Sequence, residues 1–324
     1  MTPLPARRTV LVLLLAALAA CGGAAGLYAP RDSAAVARAE LELVDPTGRR
    51  VPLRVTYPES GTRLPVVLFS HGAYSSKDDY DAILDGWAAA GYVVLAPTHP
   101  DSTKLGGRRG VPPPPNATSQ RLIDLKLALD TVRELPTRVP ALAGRVDGTR
   151  VAATGHSYGG WIAQTLGGAS YFDPATNATV TTGRDARVSA VVVFAGPGRI
   201  PPVLRTEDWQ TLKLPTLVTV GTQDLAQLPG QDGYRFRREP FDLAPPGDKY
   251  LLVQDGADHY LGGRVGRDDL PRAPQGDAYV AEFLAVTTAF LDAYLREDRR
   301  AREFLAAAGT EARAIGEHGK LQRK

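Results

Sequence analysis

The stretch RVAATGHSYGG, residues 150–160, decides how this chain folds. Residues 151–153 form a short apolar run that is typical of a buried strand, and residues 161–166 place apolar side chains at the spacing of one helix face. Ser157 stands at the corner between the two. The pattern therefore predicts a strand, a sharp turn and a helix, with a serine on the turn.

The letters GHSYG match the pattern Gly-x-Ser-x-Gly. In a strand-to-helix turn of this kind, the serine hydroxyl stands above the carboxyl ends of the strands of an α/β sheet. Gly155 and Gly159 avoid side chains that would collide across the turn. The alternative is a serine that only caps the helix N-terminus. We predict that Ser157 is a catalytic nucleophile, because a strand pattern precedes it and a helix pattern follows it.

A serine hydroxyl becomes a good nucleophile only when a base takes its proton and a third group orients that base. In folds with this turn, the acid and the histidine follow the serine in that order. Of the five histidines, only His259 and His318 come after Ser157, and His318 lies in a charged C-terminal stretch. His259 follows an apolar run at residues 249–254, so we predict it as the base at the same sheet edge. An ordinary surface histidine is the alternative.

Asp224 is the carboxylate that the strand pattern favours as the third group. It ends the stretch TLVTVGTQD, residues 216–224, one strand before the loop that carries the predicted base. If Asp224 only caps the following turn, another carboxylate is the acid. Two rivals, Asp255 and Asp258, are too close to the histidine in sequence to reach around its ring easily. Two others, Asp242 and Asp248, lie in a proline-rich approach to the last strand.

Acyl transfer also needs hydrogen-bond donors for the oxyanion that develops in the transition state. Tyr158 follows the predicted nucleophile, so its backbone N–H is one expected donor. The backbone N–H of Ala73, in the loop SHGAYSS at residues 70–76, is the other. His71 precedes the nucleophile and is expected to brace this loop. Tyr74 is a candidate for lining the substrate pocket, and a tyrosine of the core fits its position equally.

Two insertions are expected to form walls of the site, at residues 171–187 and 225–247. Tyr171 and Phe172 begin the first insertion and are further candidates for apolar contact with a substrate. The second insertion carries cations that would suit an acidic group, namely Arg235, Arg237 and Arg238. Ordinary loop packing or a solvated charge is the alternative for each of these side chains.

Helix and strand patterns alternate along residues 37–297, which predicts an α/β fold with a mostly parallel central sheet and helices on both faces. Residues 41–44 and 52–58 flank the turn DPTGR and predict an opening antiparallel hairpin. Residues 280–291 carry apolar side chains at helical spacing and predict a long amphipathic helix. The chain between residues 196 and 221 has no long helical insertion, so no large cap domain is expected.

The first twenty residues predict a targeting signal. Arg7 and Arg8 form a positive start, and the apolar run at residues 9–20 follows them. As a helix this run covers about 18 Å, which falls well short of the roughly 30 Å hydrocarbon core of a membrane. We therefore expect residues 1–20 to be a signal peptide rather than a spanning helix.

Cys21 is the only cysteine of the sequence, which rules out an internal disulfide and a cysteine-based metal site. Residues 18–21 read LAAC and resemble the bacterial lipobox, in which the cysteine becomes a lipidated N-terminus. A leftover thiol near a cleavage site is the alternative. We expect residues 21–36 to be a lipidated N-terminus with a tether, and the protein to be anchored in the cell envelope. Gly22 after the cysteine favours the outer membrane, facing the periplasm, in a Gram-negative cell.

The chain has 324 residues, of which 44% are hydrophobic, so it can bury a large core. The formal net charge is +3, and loss of the two signal arginines would leave about +1. This balance does not favour nucleic acid as a partner. Residues 298–324 carry charges of both signs and predict a solvated helix followed by a tail, which leaves residues 37–297 as the expected catalytic domain.

With these residues in place, the chain resembles the α/β-hydrolase fold family over nearly all of its length after the signal. More narrowly, it is similar to bacterial relatives of platelet-activating-factor acetylhydrolase, often grouped as predicted dienelactone hydrolases, with polyester-degrading cutinases as cousins. The stretches that carry the resemblance are PVVLFSHGAYSS, GWAAAGYVVLAPTHPDS, VAATGHSYGG, PTLVTVGTQD and GADHYLGG.

The resemblance implies a triad of Ser157, Asp224 and His259, with Ala73 and Tyr158 as oxyanion donors. One departure matters: true dienelactone hydrolases use a cysteine nucleophile, and the single cysteine here is the predicted lipid anchor. That specific activity is not carried over.

A triad of this kind cleaves carboxylic esters through an acyl-enzyme and requires neither a metal ion nor an organic cofactor. The expected substrate is a small-molecule or lipid-like ester, and the expected partner is the membrane, through the lipid anchor. A serine peptidase or amidase is one alternative, because GxSYGG also occurs in prolyl-oligopeptidase-type enzymes, which usually carry a large propeller or cap. A non-catalytic envelope lipoprotein that kept the fold is another.

Overall fold

The computed structural model describes residues 26–31, 33–225 and 232–324. The predicted signal peptide at residues 1–20 and the predicted lipid anchor Cys21 lie outside the described residues. The strands are β1 (Val36–Val44), β2 (Arg50–Pro58), β3 (Leu64–Ser70), β4 (Val93–Pro97), β5 (Val146–His156), β6 (Tyr171–Asp173), β7 (Ala178–Val180), β8 (Val188–Phe194), β9 (Thr216–Gly221), β10 (Lys249–Gln254), β11 (Arg313–Ile315) and β12 (Gly319–Arg323). The helices are α1 (Asp81–Ala89), α2 (Ala117–Asp130), α3 (Leu135–Arg138), α4 (Tyr158–Leu166), α5 (Gly233–Leu243), α6 (Gly276–Leu295) and α7 (Arg299–Ala306).

One large sheet organises the described part of the chain, with the strand order β1-β2-β4-β3-β5-β8-β9-β10-β12-β11. The strands from β4 to β10 in this order run parallel to one another. At the start of the chain, β1 and β2 form an antiparallel hairpin, and β2 also pairs antiparallel with β4. The predicted mostly parallel sheet with an opening hairpin is therefore confirmed.

The central strands are continuous apolar runs because helices cover both faces of the sheet. All seven residues of β3 and all six of β9 are buried. On one face, Ile83 of α1 and Phe283 of α6 pack into a shared core. On the other, Leu125 of α2 and Ile162 of α4 belong to a second core. The prediction of helices on both faces of the sheet is therefore confirmed.

The segment between β8 and β9 carries a short 3₁₀ turn, Thr206–Thr211, and the described residues contain no cap domain there. This agrees with the expectation that no large cap domain is inserted between residues 196 and 221. The small two-stranded sheet of β6 and β7 lies within the first predicted insertion.

α6 contains the long apolar pattern that the sequence predicted. Among the described residues it is the helix whose length and composition would suit a membrane span, and 78% of its most apolar window is buried inside the protein. Phe283 and Phe290 of this helix are fully buried in the core. Its apolar character is therefore explained by packing against the sheet.

The C-terminal stretch differs from the predicted charged helix and tail at residues 298–324. The helix is present as α7, but β12 then pairs antiparallel with β10 and extends the main sheet. Ile315 and Leu321 are fully buried, whereas the charged residues beside them face outward. Residues 298–324 contain few large apolar residues and many charged ones, so their composition alone indicated a solvated tail. The folded domain therefore continues beyond residue 297.

The described end of the predicted tether also packs on the domain. Tyr28 is 8% exposed, and its hydroxyl donates to Oδ2 of Asp292 at 2.7 Å. Arg31 pairs with Asp298 at 2.7 Å. The sequence predicted a tether rich in small residues up to residue 36. Its described end instead contacts the domain through the side chains of Tyr28 and Arg31.

Candidate active site

Ser157 lies on the turn that joins β5 to α4, with backbone angles of φ 54° and ψ −118°. A positive φ at a residue other than glycine costs on the order of 1–3 kcal/mol, and it persists only where the surroundings hold it. Here the N–H of Ser157 donates to the carbonyl of Phe194 at 2.8 Å. A Cβ on Gly155 would collide with the backbone of Gly159, and one on Gly159 with the carbonyl of Ser70. Close backbone packing thus explains both glycines of the pattern.

Asp224 and His259 form a buried pair at the carboxyl edge of the sheet. They follow β9 and β10, two neighbouring parallel strands whose ends meet there. Nδ1 of His259 lies 2.7 Å from Oδ2 of Asp224, and the two residues are 7% and 1% exposed. Because a carboxylate accepts hydrogen bonds, Nδ1 carries the proton and Nε2 of the neutral imidazole is left as an acceptor.

His156 joins the serine turn to the loop of His259. The centroids of the two imidazole rings lie 4.5 Å apart, and Nε2 of His156 donates to the carbonyl of His259 at 2.9 Å. Its Nδ1 then accepts from the hydroxyl of Tyr80 at 2.8 Å. Burial, and next the nearby His259, lowers the pKa of His156 well below the usual range, so this ring is neutral. The structure thereby brings Ser157, the next residue, to the edge where Asp224 and His259 meet.

The predicted oxyanion donors Ala73 and Tyr158 lie in segments that touch each other. Ala73 follows β3, and Tyr158 is the first residue of α4, where a helix N–H has no partner within the helix. The start of α4 packs directly on the loop after β3, because Gly159 lies against the carbonyls of Ser70 and His71. Both donors therefore lie in adjoining segments at the same sheet edge.

The three candidate pocket residues lie in different surroundings. Tyr74 directly follows a predicted donor, has φ 62°, and donates from its hydroxyl to the carbonyl of Val111 at 2.7 Å. Tyr171 is 4% exposed and lies edge-on to Trp161, with ring centroids 5.7 Å apart. Phe172 is half-buried on β6. Tyr171 is thus a residue of the core behind α4, and the pocket roles of all three stay predictions.

The structure corrects the expectation for one arginine of the second insertion. Arg237, on α5, is 3% exposed, and its Nε lies 3.2 Å from Oδ1 of Asp224. It therefore contacts the candidate acid instead of standing ready for an acidic group of a substrate. The neighbouring cations on the same helix form surface pairs, Arg235 with Asp232 and Arg238 with Asp242. The three arginines are close neighbours in the sequence, and no feature of the sequence distinguishes the buried one from the other two.

A second serine, histidine and aspartate form a hydrogen-bonded chain beneath this edge. Oγ of Ser70 lies 2.9 Å from Nε2 of His99, and Nδ1 of His99 lies 2.8 Å from Oδ2 of Asp124. All three residues are fully buried, whereas Ser157 is partly exposed. His71 accepts the N–H of His99 at its Nε2, 2.9 Å away. Burial makes this chain a support for the loop after β3 rather than a second nucleophilic site, and no sequence motif marked its three members as partners.

Within the described ranges, no group of three or more His, Cys, Asp or Glu side chains is arranged to hold a metal ion.

A serine at such a turn, on a mostly parallel sheet, is typical of one class of α/β protein. The match of the chain to the Alpha/beta hydrolase family covers residues 67–318, a range that includes every predicted site residue from Ala73 to His259. The chain belongs to this family.

Within that class, the chain is similar to chlorophyllases of plants. It is 32% identical over 143 residues to Chlorophyllase-1 of Arabidopsis thaliana, which is 44% of this chain and 41% of that protein. It is 31% identical over 160 residues to the chloroplastic Chlorophyllase-1 of Citrus unshiu, which is 47% of this chain and 45% of that protein. The similarity thus spans less than half the length of these relatives.

Proposed function

We propose that the protein is a serine hydrolase that cleaves carboxylic esters, with Ser157 as nucleophile, His259 as base and Asp224 as the acid that orients it. The observation that carries the proposal is the 2.7 Å hydrogen bond between His259 and Asp224 at the sheet edge that bears the strained serine turn. Membership of the α/β-hydrolase family supports hydrolysis. Similarity to chlorophyllases, which are ester hydrolases, supports an ester as the bond that is cleaved.

In the first half of the proposed reaction, Nε2 of His259 takes the hydroxyl proton of Ser157 as its oxygen attacks the ester carbonyl. Asp224 accepts from Nδ1 and stabilises the imidazolium that forms. The backbone N–H groups of Ala73 and Tyr158 donate to the oxyanion of the tetrahedral intermediate. The intermediate collapses, the alcohol leaves with the proton from Nε2, and the acyl group stays on Ser157 as an ester.

In the second half, His259 takes a proton from water, and the resulting hydroxide attacks the acyl-enzyme. The same two N–H groups hold the second oxyanion. The carboxylic acid is released as the proton returns from Nε2 to the Ser157 oxygen. Every step uses groups of this chain and one water molecule, so the proposed reaction needs no cofactor.

We propose a small-molecule or lipid-like ester, with a short acyl group, as the substrate. The lack of a cap domain among the described residues supports an open site, and the resemblance to relatives of platelet-activating-factor acetylhydrolase supports a short acyl group. The test is hydrolysis of p-nitrophenyl esters of increasing acyl length by the full chain, with peptide p-nitroanilides alongside. Ester turnover that peaks at short acyl groups, together with phosphonate labelling of Ser157, is the expected result. Turnover of anilides alone would favour the peptidase alternative, and no turnover by the folded protein would favour a binding role.

Replacing Arg237 by methionine is expected to move the acidic limb of the kcat/KM profile to higher pH. His259 must be neutral to act as the base, so activity falls as the pH drops through its pKa. Burial, followed by the charge of Arg237, holds the pKa of His259 below its ordinary value, while Asp224 acts in the opposite direction. Removing the cation therefore raises this pKa, and activity is lost at a higher pH. The measurement is kcat/KM for a short ester across the acidic range.

Arg238→Met is the matched control for this experiment. Arg238 lies on the same helix but pairs with Asp242 at the surface, 2.8 Å away, so the acidic limb should stay in place. An acidic limb that is the same in folded Arg237→Met as in the wild type would contradict the electrostatic role of Arg237.

We further propose that the protein is lipid-anchored in the cell envelope through Cys21, facing the periplasm on the outer membrane in a Gram-negative cell. Cys21→Ser is expected to abolish incorporation of an alkyne fatty acid and to release the protein from the membrane fraction, because serine lacks the thiol that is acylated. Ser157→Ala is the control, since loss of activity should leave labelling unchanged. A wild-type chain that takes up no fatty acid in a bacterial host would overturn the anchor.

A further inference from the structure

Arg121 is a fully buried arginine on α2 that the proposed reaction does not use. It is 0% exposed and pairs side by side with Asp101, which is 2% exposed. Nε of Arg121 lies 2.9 Å from Oδ1 of Asp101, and Nη2 lies 2.7 Å from Oδ2. Such a two-point pair fixes the orientation of the guanidinium plane as well as its position.

The same guanidinium also donates to the loop after β3. Nη1 of Arg121 lies 2.6 Å from the carbonyl of His71, and Nη2 lies 3.1 Å from the carbonyl of Gly72. Oδ2 of Asp101 in turn accepts the N–H of Tyr74 at 3.2 Å. The buried pair therefore holds backbone groups on both sides of Ala73, the predicted oxyanion donor.

Two further backbone groups of the loop also have hydrogen-bond partners. The N–H of Gly72 donates to the hydroxyl of Tyr80 at 2.9 Å, and the carbonyl of Tyr74 accepts from Thr103 at 3.1 Å. Tyr74 has φ 62°, a conformation that a residue other than glycine keeps only when its surroundings impose it. The loop is thus held in a strained shape, and within the described residues the N–H of Ala73 has no hydrogen-bond acceptor.

The guanidinium reaches the second donor segment too. Cζ of Arg121 lies 4.4 Å from the centroid of the Tyr158 ring, within the range of a cation–π contact. Tyr158 is the other predicted oxyanion donor, through its N–H. One buried side chain therefore contacts both segments whose N–H groups would hold the oxyanion.

We propose that Arg121, held by Asp101, is a positioning residue that sets the two oxyanion donors before a substrate binds. The inference rests on the proposed ester hydrolysis. Arg121 acts through Ala73 and Tyr158 and touches no reacting atom. Donors that are already in place when charge develops stabilise the transition state without reorganisation, and loss of one typically lowers kcat about 10²–10³-fold.

The chain offers a matched control in Arg296, which makes the same kinds of contact elsewhere. Its guanidinium donates to the carbonyls of Ala90 and Gly91, pairs with Asp292 at 2.8 Å, and lies 4.2 Å from the Tyr92 ring centroid. These contacts precede β4 and so lie at the amino edge of the parallel strands, opposite the candidate site. The Arg296 side chain is 29% exposed, so it matches Arg121 in its contacts and not in its burial. If the role of each arginine is purely structural, loss of these contacts should lower stability at both positions and leave kcat unchanged at both.

The experiment compares Arg121→Lys with Arg296→Lys for stability and for hydrolysis of a short p-nitrophenyl ester. Lysine keeps the charge but cannot make the forked contacts. For Arg121→Lys we expect kcat to fall about 10²-fold with KM within about threefold, and the affinity for a trifluoromethyl ketone analogue of the acyl group to fall with kcat/KM. The acidic limb of the pH profile should stay in place. For Arg296→Lys we expect a lower melting temperature and kinetic constants within about threefold of the wild type.

Asp101→Asn is the second variant, because it is isosteric and keeps an acceptor for the N–H of Tyr74. We expect it to fold and to lower kcat about tenfold, with the same loss of analogue affinity. A folded Arg121→Lys or Asp101→Asn with kcat within about threefold of an active wild type would overturn the inference while leaving ester hydrolysis intact. A wild-type chain without ester turnover would instead overturn the proposed function, and this inference with it.

Discussion

Replacing Ser157 by alanine is expected to lower kcat for carboxylic esters by a factor of about 10⁶, the size of loss seen when a serine nucleophile is removed. The residual rate would come from the oxyanion donors and from substrate binding alone. The fold should persist, because the turn is held by backbone packing of Gly155 and Gly159 and by the N–H of Ser157, which alanine retains. The measurement is burst-phase and steady-state hydrolysis of a short p-nitrophenyl ester, with circular dichroism and thermal unfolding alongside.

Ser189→Ala is a suitable control for this variant. Ser189 is a partly buried serine at the start of β8, and its hydroxyl donates to the carbonyl of Val151 at 3.0 Å. It lies at the amino edge of the sheet, so its loss should leave kcat within about threefold of the wild type. Ester turnover near the wild-type rate in folded Ser157→Ala would remove Ser157 from the mechanism.

Replacing Asp224 by asparagine should lower kcat about 10⁴-fold, by leaving His259 in the wrong tautomer. Each oxygen of the carboxylate faces a donor, with Nδ1 of His259 at 2.7 Å and Nε of Arg237 at 3.2 Å. Asparagine has one oxygen, and a guanidinium cannot accept a hydrogen bond. The oxygen therefore turns to Arg237, and the amide NH₂ faces His259. Nδ1 must then accept a hydrogen bond, so the imidazole proton lies on Nε2. A protonated Nε2 has no lone pair with which to take the hydroxyl proton of Ser157.

The tautomer argument makes a further claim about Arg237. In a background of Arg237→Met, Asp224→Asn is expected to lose less activity, because the asparagine oxygen is then free to accept from Nδ1. Asp255→Asn is the carboxylate control, since Asp255 is exposed and contacts Thr222 at 2.9 Å, so near-wild-type turnover is expected. A nearly silent Asp224→Asn would mean that another carboxylate orients the histidine.

Much of the fold was predictable because its causes are local. Continuous apolar runs at residues 65–70 and 215–221 indicated buried strands, and the glycines around Ser157 indicated a turn with no room for side chains. The order of serine, aspartate and histidine followed from the connection of parallel strands, whose carboxyl ends share one edge. Asp224 and His259, 35 positions apart, accordingly meet in one hydrogen bond.

Other features were missed because burial at those positions is decided by distant packing. The charges of residues 313–323 indicated a solvated tail, yet β11 and β12 join the sheet there, with Ile315 and Leu321 fully buried. Arg237 looked like its neighbours Arg235 and Arg238, and only the placement of α5 against β9 distinguishes it.

The sequence by itself determined the α/β architecture, the serine turn and the segments that carry the candidate triad. These depend on the period of apolar residues and on backbone sterics within a few positions of the chain. Tertiary structure alone decided that Arg121 holds carbonyls about fifty residues away, that Arg237 contacts Asp224, and that His156 joins two loops. A buried charge or imidazole takes whichever partners the packed elements bring within hydrogen-bond distance, because leaving it unpaired is costly, and no local pattern records which elements those will be.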